Sequence, residues 1–163
     1  MKKRLLAGAI AILMCFSSAQ MADAKTTVKE TWISKTAQAA CVEYGSEYGI
    51  CPELLMAIIE RESSGKANVS NGSCIGLMQI SSRWHADRME KLGVTTLYSE
   101  RGNVHVGADY LADLFEDCGD AALALMIYHG ESNAVSKYER GEISSYASGI
   151  LERSAQLERL HRK

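Results

Sequence analysis

The sequence predicts a single, mainly α domain with a short β-hairpin or irregular segment in its first half. Three observations carry this. Apolar residues recur at spacings of three and four along most of the chain. The breaks between those runs are short and hold glycine, asparagine and serine. The chain of 163 residues has one proline, no internal repeat and no low-complexity tract. That length favours one domain and is enough to bury a real core.

The start of the chain stands apart from the domain. Lys2, Lys3 and Arg4 precede an apolar stretch from Leu5 to Phe16, and Ala22-Asp23-Ala24 follows. This basic, apolar, small-x-small order is that of a secretory signal peptide, with cleavage expected after Ala24. Residues 25–163 then form the exported domain, and no second apolar span of membrane length appears. The net charge is −2, and loss of a basic leader leaves a still more acidic protein. No basic patch with interleaved aromatics is present, which argues against a nucleic-acid partner. Without Cys15, four cysteines remain: Cys41, Cys51, Cys74 and Cys118. An even set in an exported chain implies two disulfides. No two of them lie two to four residues apart, which argues against a zinc site.

Each helix has its own signals. From Thr31, the residues Ile33, Ala37, Ala40, Cys41, Tyr44 and Tyr48 form one stripe, stopped by Gly49. Pro52 suits the first position of a second helix, with Glu53 in its first turn, running to Glu62 or Ser63. Ser64 to Cys74 reads as a loop with a hairpin at Asn71-Gly72, and Ile75 to Ile80 as a short strand or buried turn. Ser81 or Ser82 suits the cap of a third helix carrying Trp84, Met89 and Leu92. Asn103 suits the cap of a fourth, with a stripe of Val104, Gly107, Ala108, Leu111, Leu114, Phe115 and Cys118. Ala121 to Tyr128 is apolar all round, the mark of a buried helix. Gly130 ends it. A final helix is expected from about Ser144 to Leu160.

One carboxylate breaks the pattern. At 3.6 residues per turn, Leu55, Ile58, Ile59 and Glu62 share a face of the second helix. Glu53 and Glu60 fall opposite and read as solvated. Glu62 thus sits on the core-facing stripe, at the negative end of the helix dipole. Dipole and partial burial both disfavour its ionised form and raise its pKa. A carboxylic acid kept protonated near neutral pH is what glycosidic cleavage needs as its general acid. The same position also suits a glutamate at a frayed helix end, reaching water. Periodicity does not separate the two.

At these residues the chain resembles a known family. The segment Cys51-Pro52-Glu53-Leu54-Leu55-Met56-Ala57-Ile58-Ile59-Glu60-Arg61-Glu62-Ser63 is similar to the catalytic helix of soluble-type lytic transglycosylases and goose-type lysozymes, with its terminal Glu-Ser. Gly76-Leu77-Met78-Gln79-Ile80 matches that family's Gly-Leu-Met-Gln phrase. Asn103 to Leu111 resembles its Asn-x-x-x-Gly-Ala-x-Tyr-Leu helix, and Ala124 to Gly130 sits where it has Ala-x-x-Tyr-Asn-Ala-Gly. The resemblance runs from about Ile33 to Leu151 and implies a lysozyme-like α+β fold, with the irregular segment beside the active-site groove. It makes Glu62 the catalytic acid/base and Ser63 and Gly76 supporting residues. Ser70, Met78, Gln79 and Tyr128 become groove residues, the Tyr128 hydroxyl lying near the catalytic carboxyl. Met78 also suits the core, and Tyr128 the cap of a buried helix. The family's Tyr-Asn-Ala-Gly is Tyr128-His129-Gly130-Glu131 here, so His129 is either a new groove residue or a surface one.

The resemblance implies cleavage of the bond between N-acetylmuramic acid and N-acetylglucosamine in peptidoglycan, with 1,6-anhydro ring closure and neither metal nor cofactor. The implied protein is a monomer of the periplasm or cell wall, with peptidoglycan glycan strands as partner. A secretion or conjugation machine is a compatible second partner. A hydrolytic muramidase and an inactive glycan-binding or machine-associated protein stay open. The first needs a second carboxylate, and neither Asp87 nor Asp109 has a motif behind it. The second fits poorly with Glu62 and Gln79 both present. In relatives the fourth helix begins near the groove, which puts Cys118 and Cys51 together at the distal end. The expected disulfides are therefore Cys51–Cys118 and Cys41–Cys74.

Overall fold

The first regular helix begins at Lys35, soon after the expected cleavage point. The structure is a computed structural model and describes residues 30–162; the expected leader lies outside them. In chain order the elements are α1 (Lys35–Tyr48), α2 (Pro52–Ser63), β1 (Ser70–Asn71), β2 (Cys74–Ile75), β3 (Ile80–Ser81), α3 (Ala86–Lys91), α4 (Glu100–Cys118), α5 (Ala121–Tyr128), α6 (Ala134–Glu139) and α7 (Ser145–His161). The domain is mostly helical with a small three-stranded antiparallel sheet in the order β1-β2-β3. Among the described residues, no helix is long and apolar enough to cross a membrane.

Caps set the helix boundaries. α1 begins later than its apolar stripe because the Ser34 hydroxyl accepts the Ala37 N–H at 3.0 Å, and it stops at Gly49, with φ +67°. α2 starts at Pro52 as its fixed φ favours. α5 is capped by Asp120, whose carboxylate accepts the N–H groups of Ala122 and Leu123 at 2.8 and 3.1 Å. Ser144 caps α7 through the Ala147 N–H at 3.2 Å. α6 carries no clear stripe and was not expected.

Two expected caps are displaced. Ser81 belongs to β3, so α3 starts only at Ala86 and Trp84 lies in the preceding turn, 78% exposed. α4 begins three residues before Asn103, because the Ser99 hydroxyl accepts the Gly102 N–H at 3.3 Å. Asn103 is instead completely buried.

α2 is the centre of the molecule, packed between α1 and α7. Leu55, Ile58 and Ile59 are fully buried and join Leu111, Leu125 and Leu157 in one core. This corrects the reading of Glu53 and Glu60 as solvated. α7 covers the face that carries them. Glu60 is 8% exposed, and its carboxylate takes the Arg153 guanidinium at 2.7 and 3.2 Å. Glu53 accepts the Cys51 thiol at 3.0 Å and meets His161 Nδ1 at 2.8 Å.

The disulfide expectation is also corrected. Cys41, Cys51, Cys74 and Cys118 are all free thiols. Cys41 and Cys51 both lie within the field of Glu53, at the start of α2. Cys74 lies on β2, within the field of Tyr128 and so near the opposite end of α2. A helix of this length spans about 18 Å, far beyond the roughly 7 Å between Cα atoms that a disulfide tolerates. Cys51 turns its thiol to Glu53 rather than to Cys118. Burial pushes both the Cys41 and the Cys51 thiol up to about 12.

Candidate active site

Glu62 ends the apolar face of α2 one residue before its last position, and the chain then leaves through Ser64 in a left-handed conformation. The side chain is half-buried. Its carboxylate accepts a hydrogen bond from the hydroxyl of Tyr146, on α7. Burial raises the Glu62 pKa above the usual carboxylate range. The Tyr146 hydroxyl, then the field of His129, then that of Arg61 pull it back down, since a donor and nearby positive charge favour the ionised form. The outcome is still a raised pKa.

Tyr146 is the residue that sequence reasoning missed. It is 4% exposed, and burial beside the Glu62 carboxylate pushes its own pKa far up, so it remains a donor. The signal was present. Tyr146, Ile150 and Leu157 mark the buried stripe of α7, and a buried tyrosine hydroxyl needs a partner. The stripe does not say which partner. The ring is held as firmly as the hydroxyl: His129 stacks on it, centroids 3.8 Å apart and planes at 13°, and the Arg61 Cζ lies 5.8 Å from its centre.

The other expected site residues fall into two groups. Tyr128 reaches the region of Glu62, within range of its charge. Its hydroxyl, however, donates to the Met78 carbonyl at 2.7 Å, and its ring packs on Tyr110 at 5.5 Å. Ser63 is buried, its hydroxyl donating to the Ile59 carbonyl at 3.1 Å, which closes the last turn of α2. Ser70 is exposed on β1, paired with Ile75. Met78 departs from a groove role: its side chain is fully buried against Gly107 and offers a glycan no surface.

What Met78 contributes is its backbone. Its N–H donates to Asn103 Oδ1 at 2.7 Å. The Asn103 amide in turn donates to the carbonyls of Ile75 and Leu97, both at 2.8 Å. One buried side chain therefore satisfies three backbone groups, at the end of β2, in the turn that follows it and in the stretch before α4. Gly76 is needed where it stands. Its φ is +77°, and a Cβ there would run into the Leu97 carbonyl and the Asn103 amide. Gln79 follows at φ +49°, a left-handed conformation rare outside glycine. Its amide donates to the Gly76 carbonyl at 2.8 Å. That bond uses one of the two N–H groups and leaves the side-chain oxygen to other partners.

Asp109, one of the carboxylates considered for a second catalytic role, is 6% exposed and tied to Arg88 and Lys91. It is a structural anion. Among the described residues, no cluster of three or more His, Cys, Asp or Glu side chains is placed to hold a metal ion.

Comparison with known proteins bears on this geometry. A family model described as the transglycosylase SLT domain matches residues 40–149, which include α2, the sheet, α4, α5 and Tyr146. A protein named Transglycosylase, from Enterobacteria phage PRD1, is 33% identical over 89 residues, 54% of this chain and 32% of that protein. The chain thus spans about a third of the length of that relative.

Proposed function

The chain belongs to the transglycosylase SLT domain family, and from that premise we propose that it is an exported lytic transglycosylase of peptidoglycan with Glu62 as its single acid and base. One observation carries the proposal: a half-buried carboxyl at the end of α2, its pKa raised by burial and its orientation held by a buried tyrosine. The leader at 1–24 directs residues 25–163 to the cell envelope, where the glycan strand is found.

The chemistry follows from the two protonation states of one group. Protonated Glu62 gives its proton to the glucosaminyl O4, and the bond from that oxygen to the muramoyl C1 breaks as an oxocarbenium-like state develops. The resulting carboxylate is met by the Tyr146 hydroxyl, which stabilises the charge just formed. It then takes the proton of the muramoyl C6 hydroxyl while O6 bonds to C1 and closes the 1,6-anhydro ring. Glu62 ends protonated, and no water is consumed. The groups acting on Glu62 among the described residues are a phenol, an imidazole and a guanidinium. None is the second carboxylate that commonly activates water in a hydrolase, which supports ring closure. Gln79, held at the neighbouring turn, has a side-chain oxygen to accept from a sugar hydroxyl or amide.

Digestion of purified peptidoglycan with the wild type and Glu62→Gln, read by mass spectrometry, tests this. Anhydromuramoyl ends made only by the wild type are expected. Reducing muramic acid ends would overturn ring closure, and no cleavage by a folded wild type would overturn the catalytic role of Glu62.

A further inference from the structure

His129 is the point at which this chain departs from the family phrase. It is exposed at the C-terminal cap of α5, yet its ring is not loose. It lies parallel on Tyr146 at 3.8 Å, closer than any other ring pair in the described residues. Tyr146 has one polar atom, and that atom is bonded to Glu62. The order His129, Tyr146, Glu62 therefore links α5, α7 and α2 through one stack and one hydrogen bond.

We propose that His129 is a positioning residue for Glu62, fixing the plane of the Tyr146 ring and, when protonated, favouring the ionised carboxylate. Two physical effects support the second part. An imidazolium stacked on a phenol withdraws electron density from the ring and makes its hydroxyl a stronger donor. Its charge also acts on the carboxylate directly. The groups facing this arrangement are Glu62 and Arg61 from α2, Tyr146 from α7, and Tyr128 from α5; beyond them Glu131 is engaged by Lys137 of α6. Arg61 keeps its charge at all working pH values, so it sets a constant background. His129 differs from it in being able to exchange a proton, so its charge is the variable part of the field at Glu62.

The consequence is coupling. A proton lost or gained at either group changes the proton affinity of the other. Positive charge on His129 lowers the pH at which Glu62 loses its proton, and removing that charge raises it. The reaction begins with protonated Glu62, so the alkaline limb of its pH profile moves up when His129 is replaced by a neutral residue.

This inference rests on the acid/base reading of Glu62, and the test keeps the two apart. His129→Phe retains a flat ring without charge; His129→Asn retains neither. The 13C signal of the Glu62 carboxyl, assigned with Glu62→Gln, is titrated by NMR in the wild type and both variants without substrate, and kcat/KM on peptidoglycan is profiled against pH. In both variants the carboxyl midpoint and the alkaline limb are expected to rise by about half a pH unit or more. His129→Phe is expected to recover part of the kcat that His129→Asn loses. An unchanged midpoint in both variants would overturn the charge coupling, and equal kcat in the two would overturn the role of the stacked ring. A shifted midpoint in a protein that cleaves nothing would keep the coupling and reject the acid/base reading instead.

Discussion

Changing Tyr146 to phenylalanine removes one oxygen from the stack that holds Glu62. The ring remains, and with it the contact to His129 and the packing of α7. What is lost is the hydrogen bond to the carboxylate. Such a bond to a charged group is worth about 1.5–3 kcal/mol. Glu62 is partly open to solvent, which screens it, so about 1–1.5 kcal/mol is a fairer magnitude. One pKa unit corresponds to about 1.4 kcal/mol, so the Glu62 pKa should rise by about one unit in Tyr146→Phe. The sign follows from which form the bond favours. The hydroxyl stabilises the anion and so opposes the upward pull of burial. Without it, burial is less opposed and Glu62 stays protonated to higher pH. On the proposed mechanism cleavage requires that proton, so activity falls as pH rises through the Glu62 pKa. The alkaline limb should therefore move up by about one pH unit. kcat on the acid plateau should fall about tenfold, because the developing carboxylate loses its stabilising donor. The assay is the rate of anhydromuramoyl end formation between pH 4 and 9, with circular dichroism to show that the variant is folded. An alkaline limb that stays in place or moves down would refute the reasoning, since the hydroxyl would not then be stabilising the ionised form.

Three further predictions concern the frame. Asn103→Ala leaves the Met78 N–H and the Ile75 and Leu97 carbonyls without their partner, and should cost about 3 kcal/mol or more in urea unfolding. Arg153→Ala strands the buried Glu60 carboxylate and should cost about 3 kcal/mol, whereas joint replacement of Glu60 and Arg153 by methionine and leucine should recover most of the loss. In the native protein at pH 8, Cys41 and Cys51, with thiols near 12, should react with iodoacetamide at least about 100-fold more slowly than a free cysteine, as mass-resolved alkylation time courses would show.

How much of this was legible in the sequence depended on how far away the cause lay. α2 was readable to within a residue because Pro52 and the loop after Ser63 are local signals. α5 was readable because the eight residues Ala121 to Tyr128 are apolar all round, follow the capping Asp120 and are closed off by Gly130. Glu60 was misread because α7 covers it, and the Arg153 that pairs with it lies 93 positions along the chain. An asparagine ahead of an apolar stripe usually is a cap, but Ser99 holds that role at α4 and Asn103 lies inside the helix. The bond from the Tyr128 hydroxyl to the Met78 carbonyl joins residues 50 positions apart, and no motif spells it out. Glu62 stands out in the sequence as a carboxylate on an apolar face, but the tyrosine and imidazole beside it come from different elements, and no spacing rule joins them.

Met78 has a mechanical meaning as well. Its N–H is held by a side chain of α4 and its carbonyl by a side chain of α5. Neither bond belongs to a strand or helix, so the residue acts as a rivet between two rods. Gln79, next along the chain, is already in a conformation with little slack. Any rotation of α5 relative to α4 must therefore either break one of these bonds or turn the Gln79 peptide. The angle between two helices is thereby converted into the aim of a single amide. Exchange of the Met78 N–H into heavy water would time that motion, one residue standing for the whole joint.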